Sequence, residues 1–350
     1  MENCRDKPIH ANRIMRIICI GAGPSGLYLA YKLKTLFTDY TLEVYGKNEV
    51  IGGTWFEDRY PGCEYMSSRG GKHMYTYYFE PKCNWPASYA SAPEFHGYFS
   101  GFADKHGLRD LISCSHRVVG ANWDDVSSQW NDRVEDPKRE VFERRSDFLI
   151  NATGYLNSWR WPSIPGLGSF NGRLLHTANW DESLPLTGKR VGVDWDWLLS
   201  LLGLPVNSCF LSFKSKSRYP CFQTSFRPVF PLTGRNDTNL AEVWEKQPRS
   251  YLGIAAHSFR NYFMLLGPNS PLGNSPLLIC IEAQGHYIAK FLNRWQKEDT
   301  CTFEPKLEAV DDFMERKDSF MKSTIWENDC RSWFKTPTPG RSVDYGLGAG

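Results

Sequence analysis

The chain has no run approaching about 20 apolar residues, which excludes a membrane-spanning helix. Met1 to Arg13 is polar, so no secretory leader is expected. Ten cysteines are present, yet none form a Cys-x-x-Cys pair or a zinc-ligand spacing. Reduced thiols, a cytoplasmic protein and no metal site are the expectation. Long runs of one charge are also missing: 41 basic and 39 acidic residues leave a net charge of +2. That balance points away from nucleic acid and anionic membranes as partners. No internal repeat or low-complexity segment occurs.

What the chain does have is length and aromatic rings. Its 350 residues can bury a large core. Aromatics make up 15% of the chain, with 13 Trp, which suits either a flat-ring ligand or aromatic core packing.

The stretch Arg16-Ile17-Ile18-Cys19-Ile20 reads as a buried parallel strand, being short, apolar and β-branched. It runs into Gly21-Ala22-Gly23-Pro24-Ser25-Gly26, and a helical pattern of Leu27, Ala30 and Leu33 follows. In this order the three glycines have separate tasks: Gly21 permits a tight turn, Gly23 admits a pyrophosphate, and Gly26 brings helix and strand together. The helix N-terminus then offers free N–H groups and a partial positive charge. Gly21, Gly23, Pro24, Ser25 and Gly26 are therefore the candidate dinucleotide loop.

Tyr40 to Tyr45 reads as the second strand of the unit. An acidic residue is expected at its end to bind a ribose hydroxyl. That position is Gly46, which carries no side chain; Glu43 and Glu49 are the nearby alternatives. Residues 113–146 alternate polar and apolar as a β-meander, and Asp147 to Gly154 reads as another buried strand. Glu282 to Gln296 and Ala309 to Ile325 carry helical periodicity.

Between these elements lie Gly52-Gly53-Thr54-Trp55-Phe56-Glu57-Asp58-Arg59-Tyr60-Pro61-Gly62-Cys63 and His73-Met74-Tyr75-Thr76-Tyr77-Tyr78-Phe79. Further on, Phe170-Asn171-Gly172-Arg173-Leu174-Leu175-His176-Thr177-Ala178-Asn179-Trp180-Asp181 matches the pattern FxGxxxHxxxW(P/D). With these segments the sequence resembles flavin-dependent monooxygenases, specifically the Baeyer–Villiger monooxygenases of fungal type. The resemblance implies an α/β fold of the two-dinucleotide-binding flavoprotein kind, with a Rossmann-like FAD-binding domain. It implies FAD and NADPH as cofactors and a small-molecule ketone as substrate, oxidised to an ester or lactone in fungal secondary metabolism. Gly53, Thr54, Trp55 and Tyr75 match family positions against the flavin, and Pro268 matches a Gly-Pro turn beneath it. His176 belongs to the fingerprint and is assigned a conformational role. The family also places an aspartate between Cys63 and His73; this chain has none there, and Glu64 is the stand-in that remains.

The pattern then breaks. Gly188-Lys189-Arg190-Val191-Gly192-Val193 should lead into a second glycine loop for NADPH, but the chain reads Asp194-Trp195-Asp196-Trp197-Leu198-Leu199. The expected organisation is 1–160 for the N-terminal part of the FAD-binding domain and 161–190 for the fingerprint linker. A truncated NADPH-domain remnant at 191–221, the C-terminal part of the FAD-binding domain at 222–338 and a loose tail at 339–350 complete it. The NADPH site is thus expected to be incomplete, and the family's active-site arginine has no counterpart. The alternative reading is an FAD-binding remnant without turnover, either a pseudoenzyme or an incompletely spliced gene model.

Overall fold

The computed structural model describes residues 12–60, 64–65, 75–86, 90–154, 157, 159, 161, 166–189, 191–193, 210–212, 226, 228–270 and 277–324. The first unit is β1 (Met15–Ile20), α1 (Pro24–Leu36) and β2 (Tyr40–Tyr45), with β1 and β2 parallel and in register from Met15 opposite Tyr40. Pro24 starts α1 where a missing N–H costs nothing, and Lys34 sits in its last turn, favourable at the negative end of the helix dipole. A one-turn helix α2 (Thr54–Glu57) follows, then the short pair β3 (Glu64–Tyr65) and β4 (Ala90–Ser91).

Helix α3 (Ala92–Lys105) was not read from the sequence. Its start is nevertheless written there: Ser91 and Glu94 form a capping box, each side chain satisfying the other's backbone N–H. After α3 come β5 (Ile112–Ser113), the meander β6 (Arg117–Asp124), β7 (Gln129–Glu135) and β8 (Val141–Ser146), and β9 (Phe148–Asn151). β10 (Val191–Val193) and β11 (Phe210–Ser212) form a separate parallel pair. β12 (Leu232–Thr233), α4 (Leu240–Val243), β13 (Tyr262–Met264), α5 (Leu277–Lys297) and α6 (Leu307–Met321) complete the described elements.

The central sheet has the order β13-β9-β1-β2-β5 and the meander sheet the order β12-β6-β7-β8. Every described pairing within the central sheet is parallel. Successive residues of β1 point to opposite faces. Ile17 and Cys19 enter the larger core with α1, α3 and α5, whereas Ile18 and Ile20 enter the core shared with the meander. Burial on both faces explains why β1 reads as a continuous apolar run rather than an alternation. Asp147 ties the two sheets at their junction, accepting from Arg16 N–H at 2.8 Å and from Gln129 Nε2 at 2.7 Å. Phe148 starts β9 immediately beyond it.

Two expected helix bounds shift. The helix expected from Glu282 begins at Leu277, where Leu278 and Ile281 are already buried. The one expected from Ala309 begins at Leu307 and ends at Met321. The apolar patch expected from Trp195, Trp197, Leu198, Leu199, Leu201 and Leu202 lies outside the described residues. Glu64 is described only as backbone in β3.

Candidate nucleotide site

A cavity of about 470 Å³ opens at the carboxyl ends of β1, β2 and β9. The size lies within the roughly 300–1,000 Å³ of small-molecule and cofactor sites. The chain leaves β1 toward β2 on one side and later places β9 on the other. Crevices at such switch points are where open parallel sheets bind ligands.

The floor is the turn after β1, with Gly21, Ala22, Gly23, Pro24 and Ser25 all lining the cavity. Gly21 has φ +114°, and a Cβ there would stand 2.5 Å from the Ala152 carbonyl oxygen. Only glycine meets both demands. A Cβ on Gly23, by contrast, would find no atom nearer than the Gly53 Cα at 3.5 Å, so the space above it is open. The N-terminus of α1 has no side-chain cap and no acidic residue in its first turn, which leaves its amides available to an anion. Gly26 lies behind the turn and does not line the cavity. Its Cβ would fall 2.0 Å from the Gly21 carbonyl oxygen, so its part is close packing of helix on loop.

The walls come from distant parts of the chain. Gly53, Thr54, Trp55 and Tyr75 form one side, with the Trp55 ring stacked on Phe95 at 4.3 Å and edge-on to Tyr75 at 5.9 Å. Residues 116–119 at the start of β6, Thr153 and Gly154 after β9, and Leu277, Leu278 and Ile281 of α5 close the rest. Eight of the ten predicted cofactor residues therefore converge on one cavity, Gly26 and Pro268 being set apart. In place of Pro268 the cavity has Leu266, while the Pro268 carbonyl accepts a hydrogen bond from Ser250 Oγ at 2.9 Å.

The end of β2 differs from expectation. Gly46 lines the cavity, but a Cβ there would lie 2.8 Å from the Ala22 Cβ. Of the alternatives, Glu43 is taken by the Tyr45 hydroxyl and by Arg144 at 3.3 Å, and neither Glu43 nor Glu49 lines the cavity. Sequence reading missed Lys47, Asn48, Glu57 and Asn157, which do line it. Asn48 Nδ2 and Lys47 Nζ reach Glu57 Oε1 at 2.9 and 3.0 Å, and Lys47 also donates to the Asn157 carbonyl at 3.2 Å. Asp58, half-buried beside Glu57, is pushed up to about 6 by burial and then by the Glu57 charge.

His176 lies elsewhere. Its ring is buried, stacked on Trp159 at 4.6 Å and edge-on to Trp161 at 5.6 Å, and Nδ1 accepts the Ala178 N–H at 3.1 Å. Nearby Arg173 pairs with Asp181 at 2.9 Å, so the fingerprint closes on itself rather than on the cavity. Among the described residues no group of His, Cys, Asp and Glu could hold a metal ion, and no helix is long and apolar enough to cross a membrane.

The fold is that of the two-dinucleotide-binding flavoprotein monooxygenases, and residues 19–91 match the model of the NAD(P)-binding Rossmann-like domain. A cyclohexanone monooxygenase from Rhodococcus sp. Phi1 bound to NADP+ superimposes with a TM-score of 0.80 at 19% identity, covering 96% of this chain and 94% of that one. An oxidised steroid monooxygenase bound to NADP gives 0.75 at 18% identity, covering 95% and 94%. Among curated proteins, the chain is 26% identical over 477 residues to the FAD-binding monooxygenase tazF of Aspergillus terreus, covering 93% of this chain and 84% of that protein. The FAD-binding monooxygenase moxY of Dothistroma septosporum is 24% identical over 482 residues, covering 95% and 76%. The family resemblance read from the residues is the one these comparisons find.

Proposed function

We propose that the chain binds FAD in this cavity and is a monooxygenase of the Baeyer–Villiger type, acting on a small-molecule ketone. The observation that carries the reading is the turn from Gly21 to Gly26, which opens into a cavity at the carboxyl ends of β1, β2 and β9. The residues present fit the cofactor: the open space over Gly23 and the uncapped end of α1 suit a pyrophosphate. Gly53, Thr54, Trp55 and Tyr75 offer a wall for a flat ring. When bound, FAD supplies the redox chemistry of oxygen insertion. The chain's own residues bind and orient it: first-turn amides of α1 hold the phosphates, and the apolar side chains of Trp55, Leu278 and Ile281 keep water from the cavity.

NADPH is the reductant this class implies, and its site is the part most reduced here. The alignments to tazF and moxY run over 477 and 482 residues, longer than the chain itself, so those relatives carry segments without counterpart. The second glycine loop is missing at Asp194-Trp195-Asp196-Trp197. This supports the division in which 191–221 is a remnant. It also favours the second reading, an FAD-binding protein that NADPH reduces poorly. The test is flavin content and NADPH oxidation in air with cyclic and steroid ketones. Protein that purifies with FAD and consumes NADPH with ketone is an active monooxygenase; protein with FAD and no consumption follows the second reading; protein that takes up no FAD defeats both.

A further inference from the structure

An adenosine ribose in a βαβ dinucleotide site is ordinarily held by a carboxylate at the end of the second strand. Here that position is Gly46, and Ala22 occupies the space its side chain would need. Yet the cavity is not without an acid at this end. Glu57 is the one carboxylate among its described lining residues, and it comes from α2 rather than β2. Oε1 is fixed by Asn48 and Lys47, the two residues that follow Gly46, at 2.9 and 3.0 Å. These anchors hold the carboxylate beside the strand end and leave Oε2 to accept.

We propose that Glu57 replaces the strand-end acid and accepts the adenosine ribose hydroxyls of the bound dinucleotide. The assignment rests on the FAD-binding reading above. A competing chemistry is visible: a strand end without an acid, followed by Lys47 and with Arg117 also lining the cavity, could take a 2′-phosphate instead. The Lys47–Glu57 pair decides against it, because a phosphate at Lys47 would face the Glu57 carboxylate at close range.

Full-length protein stripped of flavin, titrated with FAD, tests the assignment. Glu57→Gln keeps the shape and removes the charge, and should weaken FAD about ten- to a hundredfold, the loss of one charge-assisted hydrogen bond. A change of melting temperature in the ligand-free protein would mark a structural role, so the decisive probe is ADP against 2′-deoxy-ADP as competitors. The parent should prefer ADP by about tenfold or more, and Glu57→Gln should lose the preference. An equal preference in both proteins overturns the assignment. A gain of affinity for 2′-phospho-ADP-ribose in the parent over ADP-ribose overturns it in favour of Lys47 and Arg117. If Gly23→Asp abolishes FAD binding while Glu57→Gln does not weaken it, the cavity stands and Glu57 falls. If neither substitution changes FAD binding, the cavity reading itself has failed.

Discussion

β1 and β10 begin alike and end differently. Each is a short apolar strand in a parallel pair, β1 with β2 and β10 with β11. After β1 the chain reads Gly-Ala-Gly-Pro-Ser-Gly; after β10 it reads Asp-Trp-Asp-Trp-Leu-Leu. Strand pairing needs only backbone and β-branched side chains, so it persists in both places. Phosphate binding needs amides that a ligand can approach, and the sequence after β10 has aspartates and tryptophans where the one after β1 has glycines. Strand pairing and the glycine loop are thus separable in this chain: both strands pair in parallel, and β1 runs into Gly-x-Gly-x-x-Gly whereas β10 does not.

The sharpest way to break that contrast is to give the first loop the chemistry of the second. Gly23→Asp places a carboxylate in the open space above the turn, and flavin content should drop to background, more than about a hundredfold in affinity. Parent-like flavin absorbance in the purified variant would contradict the site. Next in size is Gly46→Glu, which writes the expected acid back into β2. A Cβ there meets the Ala22 Cβ at 2.8 Å, so the loop must shift. We expect no gain in FAD affinity and a loss of about 1–3 kcal/mol in stability, from overpacking. Tighter flavin binding in a titration would show that the loop yields easily.

Smaller effects probe the frame behind the cavity. Gly285 in α5 faces the buried ring of Tyr28 in α1, and a Cβ would lie 2.4 Å from it. Gly285→Ala gains roughly 1 kcal/mol of helix propensity against roughly 1–3 of overpacking, so net destabilisation near 1 kcal/mol should appear in a denaturant melt. Finally, burial pushes Asp132 up to about 7, only partly opposed by the hydrogen bond from Ser146 at 2.8 Å. Unfolded, an aspartate ionises near about 4. The folded chain therefore binds the extra proton, its stability is full below about pH 4 and falls as pH rises toward about 7. Asp132→Asn should remove that fall and raise the melting temperature by roughly 2–4 °C at pH 8, with less difference at pH 4. An equal difference at both pH values would contradict the assignment.

Much of the site was legible because its floor is local. Gly21, Gly23 and the start of α1 are neighbours in sequence, and their tasks follow from turn geometry alone. The end proposed for the ribose was not, because it is assembled from separate segments: Gly46 after β2, Glu57 in α2 and Asn157 beyond β9. Nothing in the spacing of Glu57 announces it. Its place depends on Asn48 and Lys47 turning toward α2, which only the folded chain displays. Pro268 lies off the cavity while Leu266 lines it, a difference that position in a turn does not disclose. Helix α3 was overlooked although Ser91 and Glu94 mark its start, the Phe- and Tyr-rich run being equally compatible with strand.

The contrast between the two strands is tested most directly by mixing the flavin-loaded protein with reductant in the absence of oxygen. Dithionite should bleach the flavin fully. NADPH at micromolar concentration should bleach it slowly or not at all, and grafting a relative's complete second domain at Val193 should restore the reaction. Fast bleaching of the unaltered chain by micromolar NADPH would contradict this contrast between the strands and leave the monooxygenase reading standing, because a hydride donor would then be bound without the second glycine loop.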